Sequence, residues 1–168
     1  LLYATHYPFR QYETGRGVRK SAIHDRLAAI GACHGEAFGW ERPNWYAPSG
    51  VEPRYEYSYG RQNWFEHSAA EHRAVRESVA LFDQSSFAKF RLEGRDAVTV
   101  LNRVCTNNVD VAAGRVVYTQ WLNERGGIEA DLTVTRLSET AFMIVGGAET
   151  VVRDFYWLKQ QIPYDAHC

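Results

Sequence analysis

Long apolar runs are missing from this chain of 168 residues. The longest strictly apolar stretch is Ala141 to Val145, whereas a membrane-spanning helix needs about 20 residues. The first residues hold no apolar stretch of signal-peptide type. Charge of one sign is missing as well: 19 Lys and Arg stand against 20 Asp and Glu, a net of −1. That balance excludes a nucleic-acid binder acting through bulk basic charge, and it excludes a disordered acidic tail. Cysteine is scarce. Cys33, Cys105 and Cys168 form no CxxC pair, and three thiols fit a reducing compartment better than a disulfide framework. The chain has no GxGxxG or GxxxxGK[ST] loop, no GxSxG elbow, no internal repeat and no low-complexity tract. His67 and His72 come nearest to a metal motif, but five residues apart they would sit about 140° around a helix. No metal site is expected.

Aromatic residues, by contrast, are plentiful at 14% of the chain. They crowd between Phe38 and Phe65, among Pro and Gly residues that disfavour a regular helix. That stretch reads as an extended segment lying across another surface, with its large rings packed against neighbours rather than left as an apolar patch. The length suits one domain, or one domain with a piece of another. Leu1 is not Met, and the chain stops five residues after Pro163; both ends read as those of a segment of something longer.

Hydrophobic spacing and turn residues predict the elements. Residues 1–20 read as a connector broken at Gly15-Arg16-Gly17. Ser21 as N-cap with Ile23, Leu27 and Ile30 predicts a helix at about 21–32. A short strand is expected at 34–41. Ser68 to Glu71 has the capping-box pattern, placing a helix at about 69–80. A strand follows at Phe87–Glu93, then a helix at about 95–106. Arg115–Leu122 and Ile128–Leu137 predict a β-hairpin closed by Asn123–Gly127, and Thr140–Val145 a further strand. Val151, Phe155 and Leu158 mark a last amphipathic helix. The fold class is α+β: an antiparallel or mixed sheet with helices packed on one side.

One residue stands out on chemical grounds. Ile128, Ala130, Leu132 and Val134 alternate with Glu129, Asp131, Thr133 and Thr135. Asp is poor in strands, so Asp131 is either part of a solvated sheet face or a functional carboxylate. If the hairpin register brings Tyr118 beside it, a ring and a carboxylate on one face would suit a flat, hydrogen-bonding heterocycle. Gly146-Gly147, between a strand and a helix, reads as a plain turn.

From about Arg61 onward the sequence resembles the folate-binding aminomethyltransferase domain, the T-protein fold of the glycine cleavage system. The resemblance is carried by Glu71-His72-Arg73-Ala74-Val75-Arg76, by Leu81-Phe82-Asp83-Gln84-Ser85-Ser86-Phe87, by Tyr118, and by Leu122-Asn123-Glu124-Arg125-Gly126-Gly127-Ile128 followed by Asp131-Leu132. In T-proteins the last stretch reads Asn-Glu-x-Gly-Gly-Ile-x-Asp-Asp-Leu. The second Asp, the catalytic one, falls on Asp131, and the first falls on Ala130. Upstream, the stretches at 6–17 and 39–45, and Phe87-Ala88-Lys89-Phe90, are similar to dimethylglycine and sarcosine dehydrogenases, FAD-dependent enzymes that join a flavin domain to a T-protein-like one. Where T-proteins often read Val-Val-Asn-Ala, this chain has Val145-Gly146-Gly147-Ala148, without the polar Asn.

The resemblance implies a division at residue 60. Residues 1–60 would be the central linking segment of an FAD oxidoreductase, and 61–168 the N-terminal, incomplete part of a folate-binding domain. It implies tetrahydrofolate as ligand, with Asp131 catalytic and Tyr118 and Asp131 binding it. FAD would be held in an N-terminal domain outside this chain, and the rest of the folate pocket beyond Cys168. The implied activity passes the one-carbon unit of an oxidised N-methyl amine to tetrahydrofolate, giving 5,10-methylenetetrahydrofolate; the chain alone would be inactive. No nucleic-acid or membrane partner is expected. The setting would be the cytoplasm of a bacterium or the mitochondrial matrix of a eukaryote. A non-catalytic regulatory protein on the same scaffold, or a flavin-independent folate-dependent demethylase, remains the alternative.

Overall fold

A computed structural model describes residues 3–6 and 10–168. Tyr7, Pro8 and Phe9, part of the 6–17 motif, lie outside the described residues. The chain forms two compact units, 1–86 and 87–168.

In the first unit, helix α1 (His24–Ala29) is shorter than the spacing predicts. Gly31, at φ +93°, turns the chain out of it, and a Cβ there would lie 2.2 Å from the Ala47 carbonyl oxygen. Only glycine allows that approach, which the Ala47 N–H closes by donating to the Gly31 carbonyl at 2.8 Å. Strands β1 (Ala32–Ala37) and β2 (Trp40–Tyr46) pair antiparallel. The single strand expected at 34–41 is therefore two strands with a turn between them. Phe38 (φ 54°) and Gly39 (φ 81°) make that turn, both with the positive φ of the type I′ hairpin. An aromatic residue occupies a position where Asn or Asp would have announced the turn.

Trp45, 1% exposed, centres a small core with Cys33 and Ala47, against which Tyr55 and Trp64 pack. The aromatic segment is thus anchored as expected, while Phe38 and Tyr59 stay exposed. Helix α2 runs Phe65–Glu77, beginning three residues before Ser68. Ser68 therefore lies within the helix, and its N–H donates to the Trp64 carbonyl. The expected capping box does not form. Glu71 instead reaches out to accept the Tyr46 N–H at 2.8 Å, tying α2 to β2.

The Gly15-Arg16-Gly17 connector carries the best-built ion pair of this unit. Arg16 grips the buried Glu41 carboxylate with two donors, Nε to Oε1 at 2.8 Å and Nη2 to Oε2 at 2.6 Å, and the Gly17 N–H adds a third at 2.7 Å. Arg16 Nη2 also donates to the His34 carbonyl at 2.9 Å. The hydrogen bonds from Arg16 pull the Glu41 carboxyl from its usual 4.5 down to about 2. A carboxyl depressed in the folded state contributes stability above its unfolded value, and that contribution fades as pH falls through the folded one. Stability of this unit should therefore be level above about pH 4.5 and decline toward pH 2, by roughly 3 kcal/mol from this group. Glu41→Gln should be less stable at neutral pH and should flatten that decline. Chemical denaturation at several pH values checks it; an unaltered slope in the variant refutes the assignment.

The second unit holds β3 (Ala88–Glu93), α3 (Ala97–Val104), β4 (Val116–Leu122), β5 (Ile128–Arg136), β6 (Ala141–Gly146) and, after a 3₁₀ turn at Ala148–Thr150, α4 (Val151–Gln161). The strands form one antiparallel sheet in the order β3-β6-β5-β4. Val100, Leu101 and Val104 of α3 and Leu158 of α4 pack with Leu92, Trp121, Leu132, Val134, Phe142 and Ile144. Both helices thus cover one sheet face, as the α+β expectation had it. The β4–β5 loop is organised by Asn123, whose side-chain oxygen accepts the N–H groups of Arg125 and Gly127 at 3.0 and 2.9 Å, with Gly126 at φ +77°.

Register decides what the other face carries. Trp121 pairs with Ala130 but Leu122 pairs with Ile128, so Glu129 is the extra residue of a β-bulge. Beyond it, Gln120 lies opposite Asp131 and Tyr118 opposite Thr133.

Candidate functional site

Asp131 sits exposed on the helix-free face of the sheet, flanked by buried Ala130 and Leu132. Two donors from β4 converge on it: the Tyr118 hydroxyl on Oδ2 at 2.7 Å and Gln120 Nε2 on Oδ1 at 2.9 Å. The hydrogen bond to Asp131 raises the Tyr118 phenol above its usual 10, since losing that proton would set two anions side by side. Tyr118 and Asp131 therefore share a face and touch, the juxtaposition that the sequence left to the register.

The site rests on braced backbone. Asn107, in the loop after α3, donates from its side chain to the Tyr118 carbonyl at 2.6 Å. Its N–H donates to the Thr119 hydroxyl at 3.1 Å, and the Thr106 N–H to the Gln120 carbonyl at 2.9 Å. These bonds hold the edge strand β4 while its outward side chains stay open: Tyr118 is 59% exposed. The arrangement offers an oriented carboxylate with free lone pairs beside an exposed ring. It can accept an N–H from a flat heterocycle laid on the sheet and take up a proton.

Gln120 and Asn107 escaped the sequence reading, because a Gln in a strand or an Asn in a loop carries no spacing signature. The two histidines stand apart in the structure. His67 stacks on Trp45 with ring centroids 5.4 Å apart, and His72 Nδ1 lies 2.7 Å from the Ser68 carbonyl oxygen one helical turn back. Among the described residues no three His, Cys, Asp or Glu side chains cluster in a way that could hold a metal ion, and no helix is long and apolar enough to cross a membrane. Gly146 ends β6, and Gly147 precedes the 3₁₀ turn.

Comparison with known proteins places the chain in a family. The family described as the GCVT N-terminal domain matches residues 23–168, and the chain belongs to it. A 4-methylaminobutanoate oxidase (formaldehyde-forming) of Paenarthrobacter nicotinovorans is 50% identical over 159 residues, covering 95% of this chain and 19% of that protein. The mitochondrial dimethylglycine dehydrogenase of Homo sapiens is 30% identical over 156 residues, covering 92% of this chain and 18% of that enzyme. Among solved structures, the glycine cleavage system aminomethyltransferase T of Bartonella henselae matches with a TM-score of 0.71 at 27% identity, over 90% of this chain and 37% of that one. The chain thus spans about a fifth of the length of the curated relatives it matches.

Proposed function

We propose that this chain is the folate-side part of an N-methyl amine dehydrogenase of the dimethylglycine and sarcosine type, in which residues 61–168 receive the one-carbon unit on tetrahydrofolate and residues 1–60 link them to a flavin domain. The observation that carries the proposal is the doubly hydrogen-bonded Asp131 on the open sheet face beside the exposed Tyr118 ring. Tetrahydrofolate presents a flat pterin and reactive N–H groups. Tyr118 offers the surface for the ring, and Asp131 the acceptor for an amine proton.

The roles follow from that fit. With both oxygens already bonded to β4, the Asp131 carboxylate is held in one orientation, so an incoming amine meets an acceptor that needs no reorganisation. Asp131 orients the folate amine and takes its proton as the one-carbon unit is captured. FAD held outside this chain supplies the oxidation of the amine; no residue here is assigned to it. Residues beyond Cys168 complete the folate pocket. The amine is an N-methylated amino acid, and the 4-methylaminobutanoate of the relative's name belongs to the same chemical class with a longer carbon chain.

The test follows the methyl carbon. The full-length protein is given ¹³C-methyl dimethylglycine, sarcosine or 4-methylaminobutanoate in turn, with saturating tetrahydrofolate. Label should appear in 5,10-methylenetetrahydrofolate for at least one amine. Label found wholly as formaldehyde for every amine oxidised would overturn the proposal, as would the absence of amine oxidation.

A further inference from the structure

We propose that Arg153, braced by the buried Asp154, is a positioning residue that locks the β5 bulge and thereby keeps Asp131 on the open face of the sheet. The bulge matters because side chains alternate faces along a strand, and a slip of one residue exchanges the two sets. Below the bulge Leu122 pairs with Ile128, and above it Trp121 pairs with Ala130. Carrying the lower register upward without the extra residue would set Asp131 opposite Thr119 instead of Gln120. Thr119 is 0% exposed, on the helix-covered face. The extra residue, Glu129, is thus what turns a carboxylate that would face the core out to the surface.

Glu129 is held at both ends. Its carbonyl accepts a hydrogen bond from Arg153 Nη2 in the first turns of α4. Its carboxylate accepts Asn123 Nδ2 at 2.8 Å. Arg153 in turn is oriented by Asp154, whose Oδ1 accepts Nε at 3.0 Å and Nη2 at 2.9 Å. Asp154 is 3% exposed, and its other oxygen takes the Thr150 hydroxyl at 2.6 Å. A guanidinium fixed by a two-pronged contact loses little further freedom when it also grips a carbonyl. A chain of contacts therefore runs from Thr150 through Asp154 and Arg153 to the bulge, two residues from Asp131.

The consequence for catalysis rests on the role proposed for Asp131; the register does not, so it is read without folate. In the full-length protein with ¹³C-labelled tyrosine, Tyr118→Phe identifies the Tyr118 resonance. That phenol titrates above its usual value because of Asp131, so it reports whether the two side chains still meet. Arg153→Ala should bring the titration back toward 10 and give the amides of Asp131–Thr133 a second set of resonances. Arg153→Lys, which cannot span two donors to Asp154, should do the same with the core amides of Val134 and Ile144 still protected. An unchanged Tyr118 titration in a folded Arg153→Ala overturns the proposal. So does an unchanged titration in Arg153→Lys where Arg153→Ala does not fold, since Arg153 then serves the fold alone. A shifted titration beside a normal folate product would leave the clamp standing and remove Asp131 from the chemistry.

Discussion

Asp131→Asn, introduced into the full-length protein, should lower the yield of 5,10-methylenetetrahydrofolate relative to free formaldehyde by slowing the transfer step about 10²–10⁴-fold, with flavin reduction by the amine intact. Asn has nearly the same shape as Asp, and the Tyr118 hydroxyl can still donate to its amide oxygen. Gln120 can turn its own amide to match. Stability should therefore change by no more than about 0.5 kcal/mol. What Asn lacks is a proton-accepting carboxylate. If Asp131 were merely a solvated sheet residue, the product ratio at matched flavin turnover would not move, and that result would withdraw the site. The two outcomes differ by orders of magnitude, so product analysis at one saturating folate concentration decides between them.

Trp121→Ala should cost the second unit about 3–5 kcal/mol. Trp121 is fully buried and stacks on Trp157 with ring centroids 5.4 Å apart, joining β4 to α4. Its removal empties the middle of the core that α3 and α4 share with the sheet. A unit of under a hundred residues has a net stability of only about 5–10 kcal/mol, so about half of it would go. The effect should reach the site, because Gln120 next to it in the strand points to the other face and donates to Asp131. Urea unfolding followed by far-UV circular dichroism measures the change. A loss below about 1 kcal/mol would mean that α4 does not depend on this stack.

How much of this was legible in the sequence varies with how local the determinants are. The β4–β5 hairpin could be read because Asn123 to Gly127 advertise their turn and the flanking strands alternate cleanly. Asp131 could be singled out because a carboxylate in such a strand is out of place. The β1–β2 hairpin could not be read, because Phe38 occupies a left-handed position without any turn signature. The capping box at Ser68 misled for the opposite reason: the pattern is present, but Glu71 is engaged by the Tyr46 N–H, a contact from another element. Arg16 looked like one more basic residue in a connector until Glu41 appeared beside it, 25 positions away in sequence. The partners of Asp131 depended on the bulge at Glu129, and that depends on Arg153 and Asn123. Periodicity has no means of counting an extra residue held in place by a distant side chain.

The strand order has a consequence for how the second unit comes together. Strands β4, β5 and β6 follow one another as a meander, so each pairs with its sequence neighbour across a short loop. Strand β3, made first, pairs only with β6, Glu93 facing Ala141 and Ala88 facing Gly146. Closing that span costs chain entropy before any β3 pairing is gained. As the chain leaves the ribosome, β3 must therefore wait with its core-facing Phe90 and Leu92 unpaired until β6 has emerged, and the surface that presents Asp131 is framed before the sheet is complete.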